Sequence, residues 1–303
     1  MFQDKFLSSE GKTHVNYYIF ECDNPKAVLQ ISHGMAEEGL CYKEFALFLN
    51  KQNYIVCVND HLGHGDSQIE HKELLEFNEK DGYNYVIKDI KQLHDIVSAK
   101  YPNLPYFILG FSLGSFLFRR YLQIYPNSID GAIIMGTGEK NTARISAFRA
   151  MRRLYDSPEK KKFKFKLLNK IRERREKRIE NNFILMMADD KTKQKFANSW
   201  IRNYIILVGK FYNINKLFKL IKSKKNIKKM NKNMPILLIS GDEDSVGNNG
   251  KAVQKLYDKY KSLNFNDVSL ILYPGLRHVI LMSKDKEKVM KDVVDWLDKH
   301  IQK

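Results

Sequence analysis

Apolar runs and amphipathic stretches take turns along the first 137 residues of this chain. His14 to Phe20 alternates apolar and polar positions as an edge strand does. Ala27 to Ser32 and Tyr54 to Val58 are the short apolar runs of buried strands. Between them, Tyr42 to Leu49 carries its apolar residues at helical spacing. Tyr83 to Ala99 places Val86, Ile90, Leu93 and Val97 on one helical face, and Pro102 and Pro105 end that helix. A further apolar run ends at Gly110, a helix-compatible stretch covers Leu113 to Tyr125, and Gly131 to Met135 is the next strand. Strand and helix alternating through short loops predict an α/β chain with a doubly wound, mostly parallel sheet.

From about Lys140 to Met230 the pattern changes: the chain is helical in propensity, basic, and without buried-strand runs. Strands return at Pro235 to Ser240. A helix from about Lys251 to Leu263, a strand at Val268 to Tyr273 and an amphipathic helix from about Lys286 to His300 follow. The expected organisation is one core, residues 1–137 plus 233–303, interrupted by a helical cap or lid over residues 138–232. The 303 residues leave room for both. Charge follows the same boundary. The chain carries +17, but residues 138–232 hold 29 Lys or Arg against 8 Asp or Glu, a net +21, so the remainder is at −4.

No run of about 18 apolar residues suggests a membrane span. The first ten residues lack the basic start and apolar stretch of a signal peptide. Cys22, Cys41 and Cys57 have neither paired spacing nor a Cys-x-x-Cys, which suits a reducing compartment, so the cytoplasm is the expected location.

In open parallel sheets ligands bind beyond the carboxyl ends of the strands, and four groups of polar residues fall there. The first is Gly110-Phe111-Ser112-Leu113-Gly114, the sequence form of a nucleophile elbow. A strand that turns at once into a helix strains its turn residue, and side chains larger than glycine two positions to either side would clash. Ser112 is therefore a candidate nucleophile, in need of a base and a group to orient it. The second group supplies both. Gly241-Asp242-Glu243-Asp244 follows one strand, and Pro274-Gly275-Leu276-Arg277-His278 follows the next. His278 is the candidate base, while His14, His71, His94 and His300 read as surface or satisfied residues. Asp244 is the preferred acid, with Asp242 and Glu243 beside it as alternatives.

The third group is His33-Gly34-Met35. Acyl transfer needs fixed donors where the oxyanion forms, and the backbone N–H groups of Met35 and Leu113 are the candidates. The fourth group, Asp60 to Ser67, holds two histidines and two aspartates and could ligate a metal, but no second His/Cys cluster completes a shell. The favoured role is support of the oxyanion strand through buried hydrogen bonds, with Asp60 and His64 as the principal groups.

With these residues in place, the chain resembles α/β-hydrolases of the monoacylglycerol lipase and bacterial lysophospholipase type. The matching stretches are His33 to Met35, Asn59 to Gly65, Gly110 to Gly114, Pro235 to Gly247 and Tyr273 to His278, spread over residues 10–137 and 233–302. The resemblance implies an α/β-hydrolase fold with a lid, and Ser112, Asp244 and His278 as nucleophile, acid and base. It also implies Met35 and Leu113 as oxyanion donors. One position departs from the pattern: relatives often carry an acidic residue after the histidine, and here Val279 stands there.

The expected activity is ester hydrolysis through an acyl-enzyme, on a monoacylglycerol, a lysophospholipid or a small ester, with no metal or organic cofactor required. Lys160 to Leu168 and Tyr212 to Lys229 interleave lysine with apolar residues. Such helices suit an anionic membrane surface or lipid head group, and a solvated charged face is the plainer alternative. Nucleic acid is not expected, because no base-reading motif or stacking platform accompanies the charge. Two rivals share the fold. A proline-type aminopeptidase would need acidic lid residues for a free amine, and Asp189 and Asp190 are candidates. A catalytically silent lipid-binding protein would be expected to lack a triad position, and none is missing.

Overall fold

A computed structural model describes residues 1–35, 37–67, 82–138 and 213–301. Eight strands form one sheet: β1 (Phe2–Leu7), β2 (His14–Phe20), β3 (Ala27–Ser32), β4 (Tyr54–Asn59), β5 (Tyr106–Phe111), β6 (Gly131–Met135), β7 (Ile236–Gly241) and β8 (Val268–Tyr273). Their order is β1-β2-β4-β3-β5-β6-β7-β8; β1–β2 and β2–β4 pair antiparallel and the rest parallel. The helices are α1 (Lys43–Asn50), α2 (Tyr83–Lys100), α3 (Leu113–Ile124), α4 (Ile214–Lys222), the single turn α5 (Lys224–Ile227), α6 (Lys251–Ser262) and α7 (Lys286–Ile301).

The central strands are apolar on both sides because both faces are covered. Val28, Ile108, Ile134 and Leu238 pack with side chains of α2, α3, α4 and α6. Their neighbours Leu29, Leu109, Ile133 and Leu237 point the other way, against α1 and α7. The expected doubly wound sheet is therefore present. One strand lies outside that expectation: β1 is exposed at every position but Phe6, so it lacks the half-buried alternation that marks a strand in sequence.

The chain leaves β3 for β4 on one side and returns to β5 on the other. The loops after β3 and β5 thus diverge at the switch point of the sheet, where a crevice opens. Ser32 and Gly110 pair across these strand ends, which sets the loop after β3 beside the turn into α3.

Of the insert expected over 138–232, residues 139–212 lie outside the described residues, as do Asp189, Asp190 and the stretch Lys160 to Leu168. Its last part is described and packs on the core. Leu217 and Ile221 are fully buried, Phe218 meets Phe116 of α3 at a ring distance of 4.6 Å, and Gln123 Nε2 donates to the Ile221 carbonyl at 3.2 Å. Residues 213–232 contain eight lysines and no acid, and six of the lysines are exposed. Among the described residues no helix is long and apolar enough to cross a membrane, and Cys22, Cys41 and Cys57 are free.

Candidate active site

Ser112 links β5 to α3 with φ 51° and ψ −114°, a left-handed conformation that a non-glycine residue adopts only when its surroundings force it. The force comes from crowding around the turn. A Cβ on Gly114 would lie 1.9 Å from the Ser32 carbonyl oxygen, and one on Gly110 would lie 2.8 Å from Phe118 Cβ. Only glycine at these two positions lets α3 start against the ends of β3 and β5. The Ser112 N–H donates to the Met135 carbonyl at 3.1 Å, and its carbonyl accepts the Ser115 hydroxyl at 2.6 Å. The backbone is anchored and the hydroxyl is left free to face the crevice.

The loops after β7 and β8 bring the partners. Gly241 is a point of close approach, since a Cβ there would lie 2.0 Å from the Leu276 carbonyl oxygen. The His278 loop can therefore cross over the end of β7. His278 Nε2 sits 2.8 Å from Ser112 Oγ, and its Nδ1 sits 2.9 Å from Asp244 Oδ2. With a carboxylate at Nδ1, that nitrogen carries the proton and Nε2 presents its lone pair to the serine. Asp244 is fully buried and also accepts the Val246 N–H at 2.7 Å and the Ser240 hydroxyl at 3.1 Å. Burial pushes its carboxyl up, but the His278 charge and these hydrogen bonds outweigh it and hold the group below its ordinary value. The neighbouring acids face elsewhere. Asp242 accepts the Gly275 N–H at 2.8 Å, and Glu243 approaches only the exposed Arg277, at 4.0 Å.

The loop after β3 is held from within. His33 is fully buried; its Nδ1 bonds to the Gly34 carbonyl at 2.8 Å, and its Nε2 accepts the His61 N–H at 2.9 Å. Both nitrogens are engaged, so the ring is neutral with its proton on Nδ1. In a trans peptide the N–H opposes the C=O. The bond to the Gly34 carbonyl therefore turns the Met35 N–H away from His33. The Leu113 N–H is in the first turn of α3, where a helix has no acceptor of its own.

The Asp60 to Ser67 loop lies beneath. Asp60 is buried, and its carboxylate accepts the Gly39 N–H at 2.6 Å, the Asp66 N–H at 2.9 Å and Asn16 Nδ2 at 3.2 Å. His61 Nε2 bonds Ser32 Oγ at 3.0 Å and stacks on His33 at 4.1 Å, and His64 stands edge-on to His33 at 5.0 Å. The loop thus braces β2, β3 and the turn before α1. His61, which the sequence reading did not single out, touches the loop after β3 more directly than His64 does; its position one residue from Asp60 was the available signal. His94 and His300, expected to be surface or satisfied residues, each have two hydrogen-bond partners. His71 lies outside the described residues.

These stacked imidazoles carry a pH dependence. Burial pushes the His33 ring down to about 4, against smaller opposing effects of the Gly34 carbonyl and Asp60, and it pushes His61 and His64 well below the ordinary imidazole value. An unfolded histidine takes its proton near pH 6.5, so as pH falls below that value the unfolded chain binds protons that the native chain refuses. The stability due to neutrality is present above that value and declines toward pH 4. His33 alone should cost roughly 2 kcal/mol between pH 7 and 5. Carboxyls raised by burial oppose this, Glu37 and Glu38 among them. Asp89 of α2 accepts Ser8 Oγ and the Ser9 N–H, each at 2.7 Å, and burial raises its carboxyl to about 6, so it gains stability on acidification. Urea unfolding at pH 7 and pH 5 in an Asp89→Asn background removes the opposing effect of Asp89, and a lower midpoint at pH 5 is expected. An unchanged midpoint would contradict three buried neutral rings.

Comparison with known proteins identifies the family. A family model described as serine aminopeptidase, S33 (Hydrolase_4) matches residues 23–285. The chain belongs to this family. Human monoglyceride lipase is 36% identical over 108 residues, covering 36% of this chain and 34% of the relative, so the match spans about a third of that protein. Among solved structures, a thermostable carboxyl esterase from Bacillus coagulans in complex with glycerol superposes with a TM-score of 0.72 at 22% identity, over 99% of this chain and 98% of that one. A soluble variant of monoglyceride lipase from Saccharomyces cerevisiae in complex with a substrate analog gives 0.69 at 16% identity, over 98% and 94%. At these identities the likeness establishes the α/β-hydrolase fold, which the strand order already displays.

Proposed function

We propose that this family member is a serine hydrolase that cleaves carboxylic esters through an acyl-enzyme, with monoacylglycerols or lysophospholipids as its substrate class. The observation that carries the reading is the continuous chain from Ser112 Oγ through His278 to Asp244, with links of 2.8 and 2.9 Å. Ser112 attacks the ester carbonyl while His278 Nε2 takes its proton. Asp244 holds the imidazole in register and stabilises the imidazolium, and the Met35 and Leu113 N–H groups receive the oxyanion. The tetrahedral intermediate collapses to the acyl-enzyme as His278 returns the proton to the departing alcohol. A water molecule, deprotonated by His278, then releases the fatty acid and restores Ser112. His33 and Asp60 contribute by keeping the loop after β3 in one geometry, and Gly110 and Gly114 by permitting the elbow.

The human relative's name and the basic stretch at residues 213–232 support a lipid ester rather than a peptide with a free amine. The family's description as serine aminopeptidase makes the amine substrate the rival to test. A panel of monoacylglycerols, lysophospholipids, p-nitrophenyl esters and prolyl arylamides separates the readings. Turnover of the esters at least about 100-fold above the arylamides is expected, because a site built for one class leaves buried groups unpaired with the other. The reverse ranking would establish an aminopeptidase, and no turnover of any substrate would indicate a silent binder.

A further inference from the structure

One carboxylate beside the proposed oxyanion loop has no part in the mechanism above. Glu37 lies two residues past Met35, half-buried. Its Oε2 accepts the Gly34 N–H at 2.7 Å and the hydroxyl of the buried Tyr42 at 2.9 Å. Gly34 is thus held at both of its polar groups, the N–H by Glu37 and the C=O by the His33 ring at 2.8 Å. Its side-chain hydrogen is what leaves room for the carboxylate, since a Cβ there would stand 2.8 Å from Glu37 Oε2.

The same carboxyl lines a small cavity with Tyr42, Phe111, Met135, Val279 and Ile280. The residue next to His278 is Val279, where the resemblance led to an acid, and the acidic residues lining this cavity are Glu37 and Glu44. Burial pushes Glu37 up, and the Gly34 and Tyr42 hydrogen bonds and the nearby His278 offset only part of that rise.

We propose that Glu37 is a positioning residue for the oxyanion loop: by accepting the Gly34 N–H it fixes the His33–Gly34 peptide, the side of the Gly34 hinge from which the next peptide, held by its carbonyl to His33, presents the Met35 N–H to the developing oxyanion. The inference rests on the reading of this chain as a serine ester hydrolase. Stabilisation of an oxyanion depends on donors held in place before the reaction, and a loop free to rotate about Gly34 would have to be ordered in every turnover. Bracing the short helical turn Gly39–Tyr42 would be a purely structural role, affecting folding and leaving the chemical step untouched.

Glu37→Ala removes the acceptor, and Glu37→Gln keeps an oxygen in the same place. With p-nitrophenyl butyrate, Glu37→Ala should lower kcat by roughly 10- to 100-fold with KM within about 3-fold, whereas Glu37→Gln should stay within about 5-fold of the parent. Affinity for a trifluoromethyl ketone, whose adduct with Ser112 places an oxyanion in the hole, should fall in parallel with kcat. If Glu37→Ala does not fold, Glu37→Asp, one methylene short of Gly34, takes its place with the same split expected. A kcat within 2-fold of the parent for the shortened variant, or equal losses in the alanine and glutamine variants, would overturn the inference. An unsubstituted protein inactive on every ester would instead defeat the serine hydrolase reading itself, so the two failures are distinguishable.

Discussion

Ser112→Ala should reduce kcat/KM for p-nitrophenyl ester hydrolysis by about 10⁴- to 10⁶-fold, because removing the nucleophile of such a triad leaves only substrate binding and oxyanion stabilisation. The loss should be chemical and not structural. Ser112 Oγ bonds to His278, and the Ser112 backbone is anchored separately by Met135 and by the first turn of α3. Alanine keeps the Cβ and hence the same strain at φ 51°, so the melting temperature should move by no more than a few degrees. Ser112→Gly would be equally inactive but more stable, since glycine accepts that backbone without cost. Activity within tenfold of the parent in Ser112→Ala would mean that the hydrolysis occurs elsewhere.

Asp244→Asn should lower turnover by about 10³- to 10⁴-fold, while Asp242→Asn stays within about 3-fold. The asymmetry follows from what each carboxylate touches. Asp244 holds His278 Nδ1–H, and an amide there can turn its NH₂ toward the ring, which favours the tautomer with the proton on Nε2. That tautomer cannot accept the Ser112 proton. The buried Val246 N–H donates to Oδ1 and obliges the remaining amide oxygen to stay there, which leaves the NH₂ on the side of His278 and Ser240. Asp242 reaches only the Gly275 N–H, an exposed contact. A larger loss in Asp242→Asn than in Asp244→Asn would reassign the acid.

That distinction also marks how far the sequence could be read. Strand ends announced themselves, because apolar runs such as Ile236 to Ile239 stop at glycine and acidic residues, so a catalytic loop after β7 was legible. Which of Asp242, Glu243 and Asp244 turns inward depends on the path of that loop beneath the His278 loop at Gly241, and no local pattern encodes it. The core strands and helices were legible for a similar reason: period-2 and period-3.6 patterns reflect burial directly. β1 was not, because five of its six residues are exposed. Asp60 and His64 were expected to be supporting groups from the make-up of their loop, whereas the contact of His61 depends on a ring stack with His33 that forms only when the loops after β3 and β4 meet. Glu37 escaped notice because nothing in a half-polar turn distinguishes a carboxylate aimed at a glycine N–H from one in solvent. At residues 213–232 helical spacing and charge were both legible. The burial of Leu217 and Ile221 against the core, which joins this end of the insert to the elbow helix, came only with the structure.

Covalent labelling reads the proposed activation of Ser112. A fluorophosphonate probe loses fluoride and phosphonylates a serine only where a base and an oxyanion hole act on it together. Intact-mass measurement followed by peptide mapping should find a single adduct, on Ser112, in the native protein and none in His278→Ala. Hydrolysis of esters without an adduct, or an adduct on another residue, would contradict the account.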